Sequence, residues 1–176
     1  FATKYMSTQE DIPLNSSGIQ SKLRAAYRLA EASPDNSTKL GAIYCEDGWN
    51  VATGINKFVE GFGGCSRDYD RPFKYAVMEH AERNCIFAAA HKRTFPLQGI
   101  MVATWIACPD CARVIVASGL KEVVCHHECQ IRTPERWREL VDTGLLILKR
   151  GGVKVTEWSG KVGGVFNLNN SEIWEP

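Results

Sequence analysis

Four side chains in this sequence have the types and spacing for metal-assisted hydrolysis: His80, Glu82, Cys108 and Cys111. Cys108-Pro109-Asp110-Cys111 opens a helical pattern, and thiolates at i and i+3 lie on one helical face, so both can reach one ion. The positive end of a helix lowers thiol pKa and prepares such ligands. Pro109 suits a first helical turn, where its missing N–H costs nothing. With His80 there are three protein ligands; structural zinc normally has four, whereas catalytic zinc keeps one position for water and lowers that water's pKa to about 7. The expected nucleophile is zinc-bound hydroxide. Glu82 lies two positions beyond His80 and cannot easily share its direction, which makes it the expected proton shuttle.

A lone Cys-x-x-Cys is also half of a structural zinc site or a redox pair. The upstream His-Ala-Glu, the strand between the two motifs and the helix after the second favour catalytic zinc. The run Cys125-His126-His127-Glu128-Cys129 is a weaker second cluster. Strand alternation would splay its two cysteines, so these read as loop residues, with one histidine a candidate for phosphate. Cys65 reads as a loop thiol, and Cys45 and Cys85 as core.

The elements that must position these residues follow from periodicity and turn chemistry. A helix starts near Ser16 or Ser17, with Ile19, Leu23, Ala26 and Ala30 on one face. Segments 40–45 and 51–55 read as strands around a Glu46-Asp47-Gly48 hairpin signal. Segment 57–71 reads as an ordered functional loop. A helix over 76–90, a strand over 100–104, a helix Pro109–Ser118 stopped by Gly119, and a strand over 122–125 follow. A helix over 134–150 and a strand over 153–158 close the pattern. A hairpin followed by βαβ units predicts a three-layer α/β/α fold with a five-stranded mixed sheet. One domain is expected over 1–176, with 1–5 a processing remnant and 159–176 a tail of uncertain structure. Phe58, Phe62, Tyr69 and Phe73 are candidates either for stacking on a base or for covering the core, and Trp105 for walling the pocket.

The chain has 176 residues, 44% of them hydrophobic and 23% charged, with a net charge of +1. That argues against a surface built to coat nucleic acid, yet leaves room for one small anion. No apolar run reaches the roughly 18–20 residues of a membrane span. Seven cysteines without a secretory signal read as reduced thiols in a cytoplasmic protein.

At these motifs the sequence resembles the deoxycytidylate (dCMP) deaminase branch of the cytidine-deaminase superfamily, from about Leu23 to about Trp158. The matching pieces are Leu40-Gly41-Ala42-Ile43, Ala52-Thr53-Gly54-Ile55-Asn56, His80-Ala81-Glu82-Arg83-Asn84-Cys85-Ile86, Cys108-Pro109-Asp110-Cys111-Ala112 and Gly119-Leu120-Lys121-Glu122-Val123-Val124. Ile55 and Lys57 replace the Tyr and second Gly of the family's Gly-Tyr-Asn-Gly, Ala107 a Pro, and Cys85 an Ala. The resemblance implies that His80, Cys108 and Cys111 hold zinc, that Glu82 moves the proton, and that Asn56 holds the sugar or ring. It implies a 5′-phosphate near Ser37, Thr38, Lys39 and Lys74, with Arg132 a further candidate. It also implies a hexamer activated by dCTP and inhibited by dTTP with Mg2+, near segment 56–64. The expected function is hydrolysis of dCMP to dUMP and ammonia, with no nucleic-acid or membrane partner. Two alternatives stand beside it: a deaminase of another substrate, such as a tRNA adenosine or a riboflavin-pathway intermediate, and a zinc-stapled binding module, against which Glu82 argues.

Overall fold

The computed structural model describes residues 16–176; the expected remnant at 1–5 lies outside the described residues. Helix α1 (Ser16–Ala30) buries Ile19, Leu23, Ala26, Tyr27 and Ala30, the stripe expected from its periodicity. Strands β1 (Gly41–Glu46) and β2 (Trp49–Ile55) pair antiparallel through a two-residue turn at Asp47-Gly48.

The next segment departs from expectation. It holds β3 (Lys57–Phe58), a 3-10 turn (Ser66–Tyr69), α2 (Phe73–Val77), β4 (Met78–Glu79) and α3 (Ala81–His91). The stretch 57–71 is therefore not all loop, and the expected helix over 76–90 is interrupted. Lys57 and Phe58 pair with Glu79 and Met78, and this pairing pulls residues 78–79 into extended backbone. Phe58, Val77 and Met78, joined by Tyr69, form a small apolar cluster there. His80 consequently sits at the N-cap of α3 (φ −79, ψ 157).

Strand β5 (Ile100–Ala103), α4 (Pro109–Ser118), β6 (Glu122–His126), α5 (His127–Ile131), α6 (Glu135–Arg150) and β7 (Lys154–Trp158) complete the main unit. The five-stranded sheet runs β2-β1-β5-β6-β7, antiparallel at β2-β1-β5 and parallel at β5-β6-β7. Residues 125–129, expected as a loop, are the end of β6 and the one-turn α5. The tail folds into a hairpin of β8 (Asn167–Asn169) and β9 (Glu172–Trp174).

Alternation along the strands builds two cores. Ala42, Tyr44, Met101, Ala103, Val123 and Cys125 pack with α3, α4 and α6, whereas Val102 and Val124 pack with Ile19, Leu23 and Tyr27 of α1. This is the expected α/β/α layering with a five-stranded mixed sheet. Among the described residues no helix is long and apolar enough to cross a membrane.

Two glycines let the site-bearing backbone come close. A Cβ on Gly54 would stand 2.2 Å from the Ala81 carbonyl oxygen and 2.3 Å from the Cys85 nitrogen; one on Gly144 would stand 2.1 Å from the Ala107 carbonyl oxygen. Helix α3 thus lies directly on β2, and α6 on the residue preceding Cys108, contacts that leave no space for any side chain.

Candidate active site

His80 and Cys108 are the N-caps of α3 and α4, and Cys111 lies in the first turn of α4. The two helix starts meet: His80 Nδ1 is 3.4 Å from Cys108 Sγ and 3.5 Å from Cys111 Sγ. Their ligand atoms all lie within 4.8 Å of one another, and among the described residues this is the group of His, Cys, Asp and Glu close enough to share an ion. Zinc bonds of about 2.3 Å to sulfur and about 2.0–2.1 Å to nitrogen, at tetrahedral angles, place N and S about 3.5–3.6 Å apart. The residues present fit zinc in both donor type and spacing.

Glu82, in the first turn of α3, is 4% exposed. Its Oε2 accepts a contact from Cys111 Sγ at 3.6 Å, and burial pushes its carboxyl above the ordinary carboxylate range. A carboxylate so placed can both take and return a proton. The Cys111 thiol hydrogen bond, with help from His80, holds the Cys108 thiol well below the ordinary thiol range, while the same contact and burial push Cys111 up. Arg83 is a neighbour whose role the sequence did not signal. It is tied to Glu79, and its Nη1 donates to Cys111 Sγ at 3.5 Å, a contact that would orient and steady this sulfur as a ligand.

His80, Glu82 and Cys108 line a cavity of about 300 Å³, together with the exposed Arg71, Arg132 and Arg136. Trp105 walls it, with Nε1 donating to Thr133 Oγ1 at 2.9 Å. The other aromatic walls are Tyr75 and Trp137, edge to face at 5.2 Å. None of the four stacking candidates lines the cavity. Phe58 packs on Tyr69 at 4.9 Å and Phe62 on Phe73 at 6.1 Å, because β3–β4 pairing folds this segment onto itself.

The expected contacts Ser37, Thr38, Asn56 and Lys74 all reach the cavity wall, but their polar groups are committed within the protein. Asp35, 5% exposed, is the hub, and sequence reasoning passed over it as turn chemistry. Its Oδ1 accepts the Ser37 and Thr38 backbone N–H groups at 2.8 and 3.0 Å and the Lys74 ammonium at 2.6 Å. Its Oδ2 accepts from Asn56 Nδ2 at 3.2 Å. Asn56 also donates to the Thr38 carbonyl and accepts from the Leu40 N–H. The anion that the Ser37 and Thr38 N–H groups and Lys74 bind within the chain is its own Asp35 carboxylate. Arg132 also lines the cavity, with its side chain 38% exposed. Asn169 and Asn170 of the tail hairpin also line the cavity.

The run 125–129 builds no second metal site. His126 is fully buried; its Nδ1 lies 2.8 Å from Tyr27 Oη and its Nε2 2.9 Å from the Gly160 carbonyl. Cys129 is buried against Asn169. Cys45 and Cys85 are core, as expected, and Cys65 is exposed.

Comparison with known proteins agrees with this geometry. A deaminase encoded in the luxG 3′ region of Aliivibrio fischeri, itself uncharacterized, is 32% identical over 134 residues, which cover 74% of this chain and 88% of that protein. The dCMP deaminase of cyanophage S-TIM5, solved with dCMP and dUMP, shares the fold with a TM-score of 0.61 at 24% identity, over 78% of this chain and 94% of that one. A diaminohydroxyphosphoribosylaminopyrimidine deaminase/reductase from Thermotoga maritima shares it with a TM-score of 0.58 at 22% identity, over 81% of this chain and 36% of that one. The family model for the cytidine and deoxycytidylate deaminase zinc-binding region matches residues 16–127, the span that contains His80, Glu82, Cys108 and Cys111, and the chain belongs to that family.

Proposed function

We propose that the chain hydrolyses the exocyclic amine of a cytosine nucleotide, dCMP, to give dUMP and ammonia. The observation that carries this reading is the buried Glu82 carboxylate beside the His80/Cys108/Cys111 cluster, in a cavity that arginines also line. Zinc bound to these three residues would supply a Lewis acid that makes water nucleophilic near neutral pH. Glu82 takes the proton of the attacking water, delivers it to the ring nitrogen, and passes a proton to the departing amine, so that water and amine exchange with no net change in protons. Trp105, Tyr75 and Trp137 offer faces for the ring and sugar and exclude water. Arg132, with Arg71 and Arg136, receives the 5′-phosphate through charge-assisted hydrogen bonds, about twice as strong as neutral ones. Ser37, Thr38, Asn56 and Lys74 act through the Asp35 hub, shaping the wall opposite.

On the same reading the chain assembles as a hexamer and responds to dCTP and dTTP with Mg2+, supported by the resemblance of segment 54–64. The test is ammonia release from dCMP, CMP, deoxycytidine, dCTP, single-stranded RNA and a phosphoribosylated diaminopyrimidine. Preference for dCMP over deoxycytidine by orders of magnitude supports the reading. Turnover confined to another ring, or none with zinc bound, overturns it.

A further inference from the structure

The family match ends at residue 127, yet one wall of the cavity lies well beyond it. Strands β8 and β9 meet at Asn170-Ser171, both in the left-handed region (φ 51 and 66), the two-residue turn that matches strand twist. This hairpin grips both lips of the cavity. On one side, Asn170 N–H donates to Thr38 Oγ1 at 3.1 Å, Ser171 N–H to the Ser37 carbonyl at 2.7 Å, and Lys39 N–H to the Leu168 carbonyl at 2.9 Å. On the other, Asn169 Nδ2 donates to Cys129 Sγ at 3.3 Å and Asn170 Nδ2 to the Arg132 carbonyl at 3.1 Å.

Trp174 anchors the hairpin to the body of the protein. Its ring stacks on buried His126 (5.9 Å, 15°) and meets Tyr27 edge-on (6.1 Å). Arg132 Cζ lies 4.6 Å from the centre of the Trp174 ring, and Glu172 stands 3.8 Å from Arg132 Nη2. A guanidinium over an aromatic face is held in place without losing its charge or all its donors. Arg132 follows a one-turn helix and is exposed; three residues of one hairpin fix where its charge points.

We propose that the C-terminal hairpin, through Trp174, is the positioning element that aims Arg132 at the anionic end of the substrate and so sets the preference for a phosphorylated ligand. This rests on the nucleotide reading of the site. Trp174 Nε1 has no hydrogen-bond partner among the described residues, so Trp174→Phe keeps the aromatic face and removes no hydrogen bond, whereas Trp174→Leu keeps bulk and removes the face.

The test compares steady-state kinetics of the zinc-loaded full chain on dCMP and deoxycytidine. Trp174→Leu is expected to raise KM for dCMP about tenfold, the size of one partly desolvated cation–π contact, with kcat and the deoxycytidine rate unchanged. Trp174→Phe is expected to restore KM to near its original value. Should Trp174→Leu fail to fold, Asn170→Gly keeps the left-handed turn, loses the bond to the Arg132 carbonyl, and is expected to raise KM for dCMP about threefold. Equal loss on both substrates, or no loss on either, overturns the positioning role. Phenylalanine as damaging as leucine overturns it too. If the unaltered protein does not itself prefer dCMP, the nucleotide reading fails and this inference falls with it; if that preference is present and the variants keep it, only this inference fails.

Discussion

Asp35 Oδ1 and Lys74 Nζ lie 2.6 Å apart, with side chains only 6% and 5% exposed. This buried pair, completed by the Ser37 and Thr38 N–H groups and Asn56, holds the loop ahead of β1 against the segment that leads to His80. Removing one partner leaves the other charge buried and unpaired, which costs about 3–5 kcal/mol. Lys74→Ala should therefore lose stability on that scale in urea denaturation and depress turnover of dCMP and deoxycytidine alike. A variant as stable as the parent that loses dCMP turnover alone would make Lys74 a phosphate contact instead.

Gly54→Ala forces a methyl group against the α3 backbone, at 2.2 Å from Ala81 and 2.3 Å from Cys85. His80 and Glu82 ride on that helix start. Overpacking usually costs about 1–3 kcal/mol, and more where backbone itself must move. The expected result is a lower melting temperature and less than one zinc per chain by metal analysis. Unchanged stability with full zinc would show that α3 has freedom to shift.

Burial holds the pKa of His126 below the ordinary imidazole value, against the Gly160 carbonyl and Glu128. The unfolded chain binds this proton near pH 6.5, so between the lowered folded pKa and about 6.5 the unfolded state carries more protons. Stability therefore falls as pH drops through that window. The urea midpoint should decline from pH 7.5 to pH 5.5, and the decline should be smaller in His126→Gln. Equal declines in the two proteins would show that His126 does not supply it.

If the regulation implied by segment 54–64 operates, dCTP lowers and dTTP raises the dCMP concentration at half-maximal rate, and light scattering gives a hexamer. Hyperbolic kinetics untouched by either triphosphate would remove it.

The five-stranded mixed sheet and the His80/Cys108/Cys111 cluster were legible because they rest on local signals. Strand alternation, the Asp47-Gly48 turn, Pro109 at a helix start and i, i+3 thiols each act within a few residues. What the sequence hid was set by distant partners. The break at Met78-Glu79 depends on pairing with Lys57-Phe58, twenty residues earlier in the chain. Asp35 looked like turn chemistry because Lys74 and Asn56, which make it a hub, lie far along the chain. The hairpin at 167–174 was unreadable because its strands are short and its hold on residues 37–39 and 129–132 crosses more than a hundred and about forty positions respectively. Its Asn170-Ser171 turn was the one signal that could have found it.

In the proposed mechanism Glu82 moves protons beside a zinc it does not bind. Glu82→Gln keeps the shape and removes the titrating group. Metal analysis and ammonia release on the same sample test it directly. Full zinc occupancy with turnover lowered by roughly 10²–10⁴-fold or more is expected. Near-normal turnover with zinc retained would contradict the shuttle role, and loss of the metal itself would make Glu82 a ligand.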